Sequence, residues 1–405
     1  MDHEEIRQRG FKRRTRVDDA REIFAERCSP IDETDDIALQ EADSRVVASS
    51  ITASNNIPQY DRAAMDGWAV RAADTVGASD RSPVILDVAQ AMTENAAVRV
   101  HTGSEMPAGA DAVVKIENAD HRGETVEIFR TVGELHNVGQ TGEDVHEGMA
   151  LYEAGTRLRP SDLALLKGLG MTNIPVVSKP RVAVLPTGEE LVEADPKAGE
   201  VIETNGLMVT KLVERWGALP SYRSIIPDEQ EELESAILAD CDHDLIVTTG
   251  GSSVGERDLV PEIVDSLGEV LVHGVALKPG HPVALGVVKE TPIVMLPGYP
   301  VACLVNAVQF VRPAISWLLG TEPVEPPSVS ATLDRKLRSE AGHRTFARVS
   351  LQETESGYSA TPTRASGSGV LSSVTLADGW VVVPESHEGI EEGTAVTVEQ
   401  WEWLE

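Results

Sequence analysis

Cysteine is scarce in this chain, and the three that occur, Cys28, Cys241 and Cys303, lie far apart in apolar or helical surroundings. That spacing supports neither a disulfide framework nor a CxxC metal site, so each is read as a small core hydrophobe. Long apolar runs are missing too. Stretches such as Val283 to Val288 and Val381 to Val383 fall far short of the roughly 18 residues a spanning helix needs, which argues against an integral membrane protein. Arg13-Arg14 is followed by the charged segment Thr15 to Arg27 instead of the apolar core of an export signal, so a cytoplasmic protein is expected. Positive charge is the third shortage: 35 Lys and Arg stand against 66 Asp and Glu, a net charge of −31. So acidic a surface repels nucleic acid and anionic membranes, and neither is an expected partner. Self-repulsion of this size is tolerable where salt screens it, which points to a high-salt cytoplasm. An anionic ligand then requires a local basic cluster, and the few places where Lys, Arg and His gather are where to look for one.

At 405 residues the chain exceeds what one core serves, so two to four domains are expected. No internal repeat occurs at a fixed period. Residues 1–16 are polar and unpatterned, a flexible tail. Val17, Ala20, Phe24 and Cys28 recur at helical spacing until Ser29-Pro30, and Glu41 to Ala48 reads as a second short helix running into a strand at Val46. Ser161 is expected to cap a helix through Leu169, ended by Gly170. Between these, short β segments such as Pro83 to Ala89, Ala97 to Thr102, Ala112 to Glu117 and Thr125 to Phe129 are punctuated by Gly and Asn. The pattern is a discontinuous helical domain (17–50 and 152–179) with a β-rich domain (51–151) inserted into it. From Arg181 the texture is α/β: strand Arg181 to Leu185, helix Gly206 to Trp216, strand Tyr222 to Ile226, helix Glu229 to Ala239, strand Leu245 to Thr249. Short continuous apolar strands between amphipathic helices predict a doubly wound parallel sheet over 180–321. An apolar helix, Val301 to Leu319, precedes the Pro-rich linker Glu322 to Pro327. The alternating short strands of 328–405 read as a C-terminal β barrel or sandwich.

The chemistry gathers at strand ends. Leu245 to Thr249 runs directly into Gly250-Gly251-Ser252-Ser253-Val254-Gly255, where glycines let backbone N–H groups converge on phosphate oxygens and the serine hydroxyls add donors. The loop matches neither GxGxxG nor GxxxxGK[ST], which excludes a standard dinucleotide fingerprint and a P-loop. Glu256-Arg257-Asp258 adds carboxylates around a cation, and Leu277-Lys278-Pro279-Gly280-His281-Pro282 places two basic side chains on a rigid turn. The strand Pro292 to Leu296 ends in Pro297-Gly298-Tyr299-Pro300, with Pro300 suited to a first helical turn. Asp228 with Glu231 also reads as a capping-box-like helix start, and Asp66 and Asp111 as turn residues beside glycine.

Taken in order, these segments resemble the MoeA-type molybdopterin molybdenumtransferases and the gephyrin E domain. The resemblance is carried by Thr249 to Asp258, Lys278-Pro279-Gly280 and Leu296 to Val301, together with Ala64-Met65-Asp66-Gly67-Trp68-Ala69, Val100 to Val113, Leu185 to Leu191 and Thr204-Asn205. The α/β segment alone would equally resemble the molybdopterin adenylyltransferase and the CinA-type proteins, and a non-catalytic scaffold is a further alternative. Those readings do not account for Ala64 to Ala69 or for the carboxylates. The resemblance implies insertion of molybdate into adenylyl-molybdopterin, with hydrolysis of the phosphoanhydride and release of AMP. It implies Asp66, Thr102, Glu190, Asp228 and Asp258 as catalytic residues, with Asp66, Glu190, Asp228 and Asp258 as ligands for Mg²⁺, a hard ion that takes carboxylate oxygens. Substrate contacts implied are Gly250, Gly251, Ser252, Ser253, Gly255, Lys278, His281, Pro297, Pro300, Arg344, Arg348 and Ser368, the last three from segments similar to the family's C-terminal motifs. A homodimer is implied, with Asp66 and Thr102 of one subunit facing the α/β loop of the other, and with a molybdopterin adenylyltransferase and molybdoenzymes as partners. Two departures stand out: Tyr299 replaces the family's usual Asn, and His281 a common second Lys, which makes the charge there dependent on pH. Tungstate stays open beside molybdate, because the two oxyanions share charge and shape. The acidic balance adds the expectation of a halophilic archaeal source.

Overall fold

The computed structural model describes residues 14–250, 259–355, 357–363 and 369–402. Backbone contacts divide the chain into two units, Asp35–Val176 and the remainder, Met1–Thr34 with Val177–Glu405.

The unit Asp35–Val176 is built on a curled six-stranded sheet in the order Ala112–Lys115, Gly67–Val70, Ala96–Val100, Val84–Ala89, Thr125–Ile128, Ala119–Arg122. Alternation turns Trp68, Leu86, Val114, Val126 and Ile128 into its core. A second small core, with Leu39, Val47, Leu158, Leu166 and Ile174, is covered by the helix Pro160–Gly168. Two sequence expectations need correction here. Glu41 to Ala48 is not a helix: a single 3-10 turn, Leu39–Glu41, is followed by Ser44 at φ 61°, and Val46 and Val47 form isolated bridges. The left-handed residue and two β-branched residues in succession end the turn before it can propagate. Nor does Ser161 cap the next helix. Pro160 takes the first position and the Asp162 carboxylate accepts the Arg159 backbone N–H at 2.8 Å while pairing with its guanidinium.

In the other unit a six-stranded sheet runs Leu219–Tyr222, Arg181–Pro186, Leu245–Thr249, Thr291–Leu296, Ala284–Val288, Gly268–His273. The first four strands are parallel and the last two complete an antiparallel edge. The second strand sits earlier than Tyr222 to Ile226: Leu219 pairs with Arg181, and Ile226 keeps only a bridge to Thr187. Ala183, Leu185, Ile246, Ile293 and Met295 are fully buried against the helices Gln230–Ala239 and Leu259–Leu267; each large side chain contributes roughly 1.5–3 kcal/mol. Val17–Ala25 packs against Gly268–His273 and the last turns of Pro300–Leu318. That long helix is apolar enough to cross a membrane by length and composition, yet 94% of it is buried inside the protein, the mark of a core helix. It carries a π turn at Ala307–Val311.

Five C-terminal strands, Ser328–Leu333, Arg344–Thr354, Gly357–Pro362, Gly379–Val383 and Ala395–Glu399, close into a barrel, because Arg344–Thr354 pairs with both Gly357–Pro362 and Gly379–Val383. Closure decides between the barrel and the sandwich and removes two open edges. The short strand Leu277–Lys278 joins it in parallel, Leu277 opposite Arg344 and Lys278 opposite Thr345.

Candidate active site

Three parallel strands end level with one another: Pro186 pairs with Thr249, and Thr249 with Leu296. From Arg181–Pro186 the chain goes to one side for Leu219–Tyr222 and returns to the other for Leu245–Thr249. The crevice beyond Pro186 and Thr249 is therefore a topological switch point, where open α/β sheets bind ligands. Gly250 stands at its floor with φ 137°, and a Cβ there would lie 2.1 Å from the Thr187 carbonyl oxygen, so no other residue fits. The hydroxyls of Thr187, Thr248 and Thr249 are buried here without a partner among the described residues. The continuation of this loop, with Gly251, Ser252, Ser253, Gly255, Arg257 and Asp258, lies outside the described residues, as does Ser368.

Carboxylates crowd the next loop. One oxygen of Asp228 is buried without a hydrogen-bond partner among the described residues. Burial first, then the neighbouring charges of Glu190 and Glu189, push the Asp228 carboxyl above its usual range, while a backbone hydrogen bond from Glu189 opposes the shift. The orphaned Asp228 oxygen, beside the charges of Glu190 and Glu189, is a hard donor of the kind a divalent cation takes, although the three carboxylates do not converge into a ready-made ligand set among the described residues. A separate acidic grouping, Asp240, Asp242 and His243, is already occupied by Arg223 and Arg181.

Beside Glu190 opens a cavity of 720 Å³ whose walls include His281, Pro297, Gly298, Tyr299 and Pro300. Pro300 takes the first position of its helix, as its fixed φ favours, and Tyr299 is 63% exposed at the rim. Gly298 packs back on the switch point, since a Cβ there would stand 3.7 Å from the Gly250 Cα. The cations expected of an anion site gather nearby. Lys278 reaches Glu340 at 3.1 Å, and burial, then Arg14, His343 and Lys278, push the His281 imidazole below its ordinary pKa. Arg14 and His343 are in direct contact. At neutral pH His281 is thus a neutral donor or acceptor, while Lys278, paired with Glu340, is not among the residues lining the cavity.

Arg344 does not line this cavity. Its guanidinium is bound bidentately to Asp18 at 2.8 and 2.6 Å and to Glu385 at 3.1 Å, and it borders a separate space of 420 Å³ with Arg21, Gln309 and Trp317. Arg348 is half-buried, and desolvation lowers its pKa.

Asp66 and Thr102 belong to the unit Asp35–Val176, where they form a clamp: Asp66 Oδ1 accepts the Thr102 backbone N–H at 2.7 Å and its hydroxyl at 2.9 Å. These bonds hold the exposed carboxyl below its usual range, the backbone bond most of all, with help from His101 and Arg99. The result is a carboxylate kept ionised and aimed, the state a metal or proton-transfer role requires.

Sequence reading missed several residues around the cavity. Glu203, 7% exposed, accepts the Gly206 N–H at 2.6 Å and the Tyr222 hydroxyl, whose pKa burial and this carboxylate push up. Its position one residue before Thr204-Asn205 was the available signal. Asn306 was visible as one of two amides, with Gln309, in the apolar run from Val301 to Val311.

Three sequence families match the chain along nearly its whole length: the "MoeA N-terminal region (domain I and II)" over residues 15–170, the "Probable molybdopterin binding domain" over 183–317, and the "MoeA C-terminal region (domain IV)" over 330–401. The molybdopterin molybdenumtransferase of Bacillus subtilis is 34% identical over 398 residues, 92% of each chain. That of Haemophilus influenzae is 31% identical, covering 96% of this chain and 99% of its own. The crystal structure of the molybdopterin biosynthesis MoeA protein of Pyrococcus horikoshii OT3 superposes with a TM-score of 0.84 at 30% identity, covering 96% of this chain and 100% of that one. Matches to the regions on both sides of the α/β domain remove the case for a lone adenylyltransferase or CinA-type domain. The chain is a member of the MoeA family, a transferase of molybdenum cofactor biosynthesis.

Proposed function

We propose that this chain inserts molybdate into adenylyl-molybdopterin, hydrolysing the phosphoanhydride and releasing AMP. The observation that supports this best is a 720 Å³ cavity walled by Glu190, His281, Pro297 and Pro300, with the Asp228 carboxyl close enough to Glu190 to feel its charge. Gly250 opens the loop that would take the phosphates, with Gly251, Ser252, Ser253 and Gly255 continuing it. Asp228 and Glu190, with Asp258, would hold Mg²⁺, and the ion would supply charge neutralisation on the phosphoanhydride. Lys278 holds the oxyanion by charge and His281 by hydrogen bonding. Burial and the charges of Glu190 and Glu189 hold the Asp228 carboxyl above its usual range, so binding a cation there would relieve the crowding. Arg344, Arg348 and Ser368 are assigned to the substrate on the family resemblance, although Arg344 is paired elsewhere in this structure.

The working form in this proposal is a cytoplasmic homodimer in which Asp66 and Thr102 of a second copy complete the metal site. A molybdopterin adenylyltransferase would supply the substrate, and molybdoenzymes would take the product. A halophilic host accounts for the charge of −31. The decisive experiment supplies adenylyl-molybdopterin, Mg²⁺ and molybdate at high salt and measures AMP; no AMP above background would sink the reading. Mixing Asp66→Ala with Asp258→Ala protein tests the shared site, and mixtures that regain no activity would exclude it.

A further inference from the structure

Two asparagines stand where the loops that wall the cavity meet the helices behind them. Asn205 opens the helix Asn205–Arg215, is 8% exposed, and donates from Nδ2 to the Gly298 carbonyl at 2.7 Å. Asn306 ends the helical segment Pro300–Asn306, is fully buried, and donates from Nδ2 to the Gly280 carbonyl at 2.9 Å and to the Ala302 carbonyl at 2.8 Å. Gly298 and Gly280 both line the 720 Å³ cavity, the first in the loop of Pro297 and Pro300, the second beside His281. The orientation of each amide follows from chemistry: its partners are all carbonyl oxygens, which cannot donate, so a reversed amide would set oxygen against oxygen. In both residues Oδ1 is buried with no partner among the described residues. An orphan acceptor is a desolvation cost that selection for stability alone would remove. The Gly280 turn is pressed onto its latch so closely that a Cβ there, at φ 113°, would lie 2.1 Å from Asn306 Nδ2.

We propose that Asn205 and Asn306 are positioning residues that fix the two walls of the substrate cavity, Asn205 holding the Pro297–Pro300 loop and Asn306 the Lys278–His281 turn. The inference rests on the transferase reading of that cavity. Each side-chain amide ties its helix to the carbonyl of one loop glycine, so the amide sets where Pro297 and His281 stand. A misplacement of about 1 Å in groups that orient a substrate costs on the order of 100-fold in rate.

The test uses the full-length chain with Asn205→Ala, Asn205→Asp and Asn306→Ala. Both alanine variants are expected to lose about 10- to 100-fold in kcat/KM for adenylyl-molybdopterin. Asn205→Asp separates positioning from mere structure. Ionised, its oxygen opposes the Gly298 carbonyl and the wall moves; protonated, its hydroxyl donates in place of the amide. Its activity relative to the unaltered protein therefore rises as the pH falls from 8 to 5. Alanine variants within two-fold of the unaltered protein, or an Asn205→Asp deficit equal at both pH values, would overturn the proposal. Should Asn306→Ala fail to fold, the two Asn205 variants carry the test alone. If the unaltered protein releases no AMP, the transferase reading has failed, and the same variants are judged by calorimetric binding of AMP. Weaker binding in the variants upholds the positioning role, and equal binding ends it.

Discussion

Gly250→Ala is the sharpest perturbation the structure offers, because its consequence follows from two geometric quantities. The backbone at φ 137° would carry a Cβ, and that carbon would sit 2.1 Å from the Thr187 carbonyl oxygen. Backbone strain of this kind costs about 1–3 kcal/mol. Overpacking a well-packed site costs about another 1–3 kcal/mol, and here the obstructing atom is main chain, anchored by the bridge from Thr187 to Ile226. The two together amount to about 2–6 kcal/mol. At about 2–4 °C per kcal/mol for a unit of this size, the melting temperature falls by roughly 4 to 24 °C. The control is Gly298→Ala, after the neighbouring strand on the same rim, where the new carbon would meet only the Gly250 Cα at an ordinary 3.7 Å. That variant is expected within about 2 °C of the unaltered protein. Thermal unfolding followed by far-UV circular dichroism, both proteins in the same salt, reads the difference. If Gly250→Ala melts no lower than Gly298→Ala, the floor of the crevice is not rigid and the reasoning about its shape fails.

Asp228→Asn tests the crowded carboxylates through pH. A folded pKa raised above the unfolded one means stability that is present at low pH and lost as the pH rises through the folded value. The variant should therefore be the more stable protein at pH 7 and converge with its parent toward pH 4 in urea unfolding; a constant difference would contradict the shift. Thr102→Val should raise the Asp66 carboxyl pKa part of the way toward its ordinary value, since the backbone N–H, the larger cause, remains. Carbon-detected NMR titration of Asp66 reads this, and an unmoved pKa would discount the hydroxyl. With a net charge of −31, the melting temperature should climb with potassium chloride between 0.1 and 2 M, where screening shortens to about 3 Å near 1 M. A protein equally stable at both ends would remove the halophilic explanation.

The fold class was legible because its signals are local. Leu245 to Thr249 is a short apolar run followed at once by glycines, and the strand forms with those same ends. The barrel's strands were legible as alternation, but not its closure, which depends on Arg344–Thr354 pairing on both sides. Errors fell where a local pattern competes with a distant partner. Tyr222 to Ile226 looks like a strand, yet the sheet takes Leu219–Tyr222, because Leu219 finds its partner at Arg181. Glu41 to Ala48 has a helical pattern that one left-handed serine defeats. In the site, Glu190, His281, Pro297 and Pro300 were named from motifs and do line one cavity. The hydrogen bonds by which Asn205 and Asn306 latch their loops, and the pairing of Arg344 with Asp18 across more than 300 residues of chain, are products of folding that no spacing encodes.

The two-residue strand Leu277–Lys278, paired with Arg344 and Thr345 of the barrel, bears on how such chains can be taken apart. A barrel at the end of a Pro-rich linker invites treatment as a detachable module, to be deleted or exchanged between relatives. Here the lysine assigned to the oxyanion is itself stitched into the barrel wall. A chimera would thus have to carry over the main-chain edge at 344–345 with the same register, and a deletion at 328 would unpick the Lys278 turn along with the barrel.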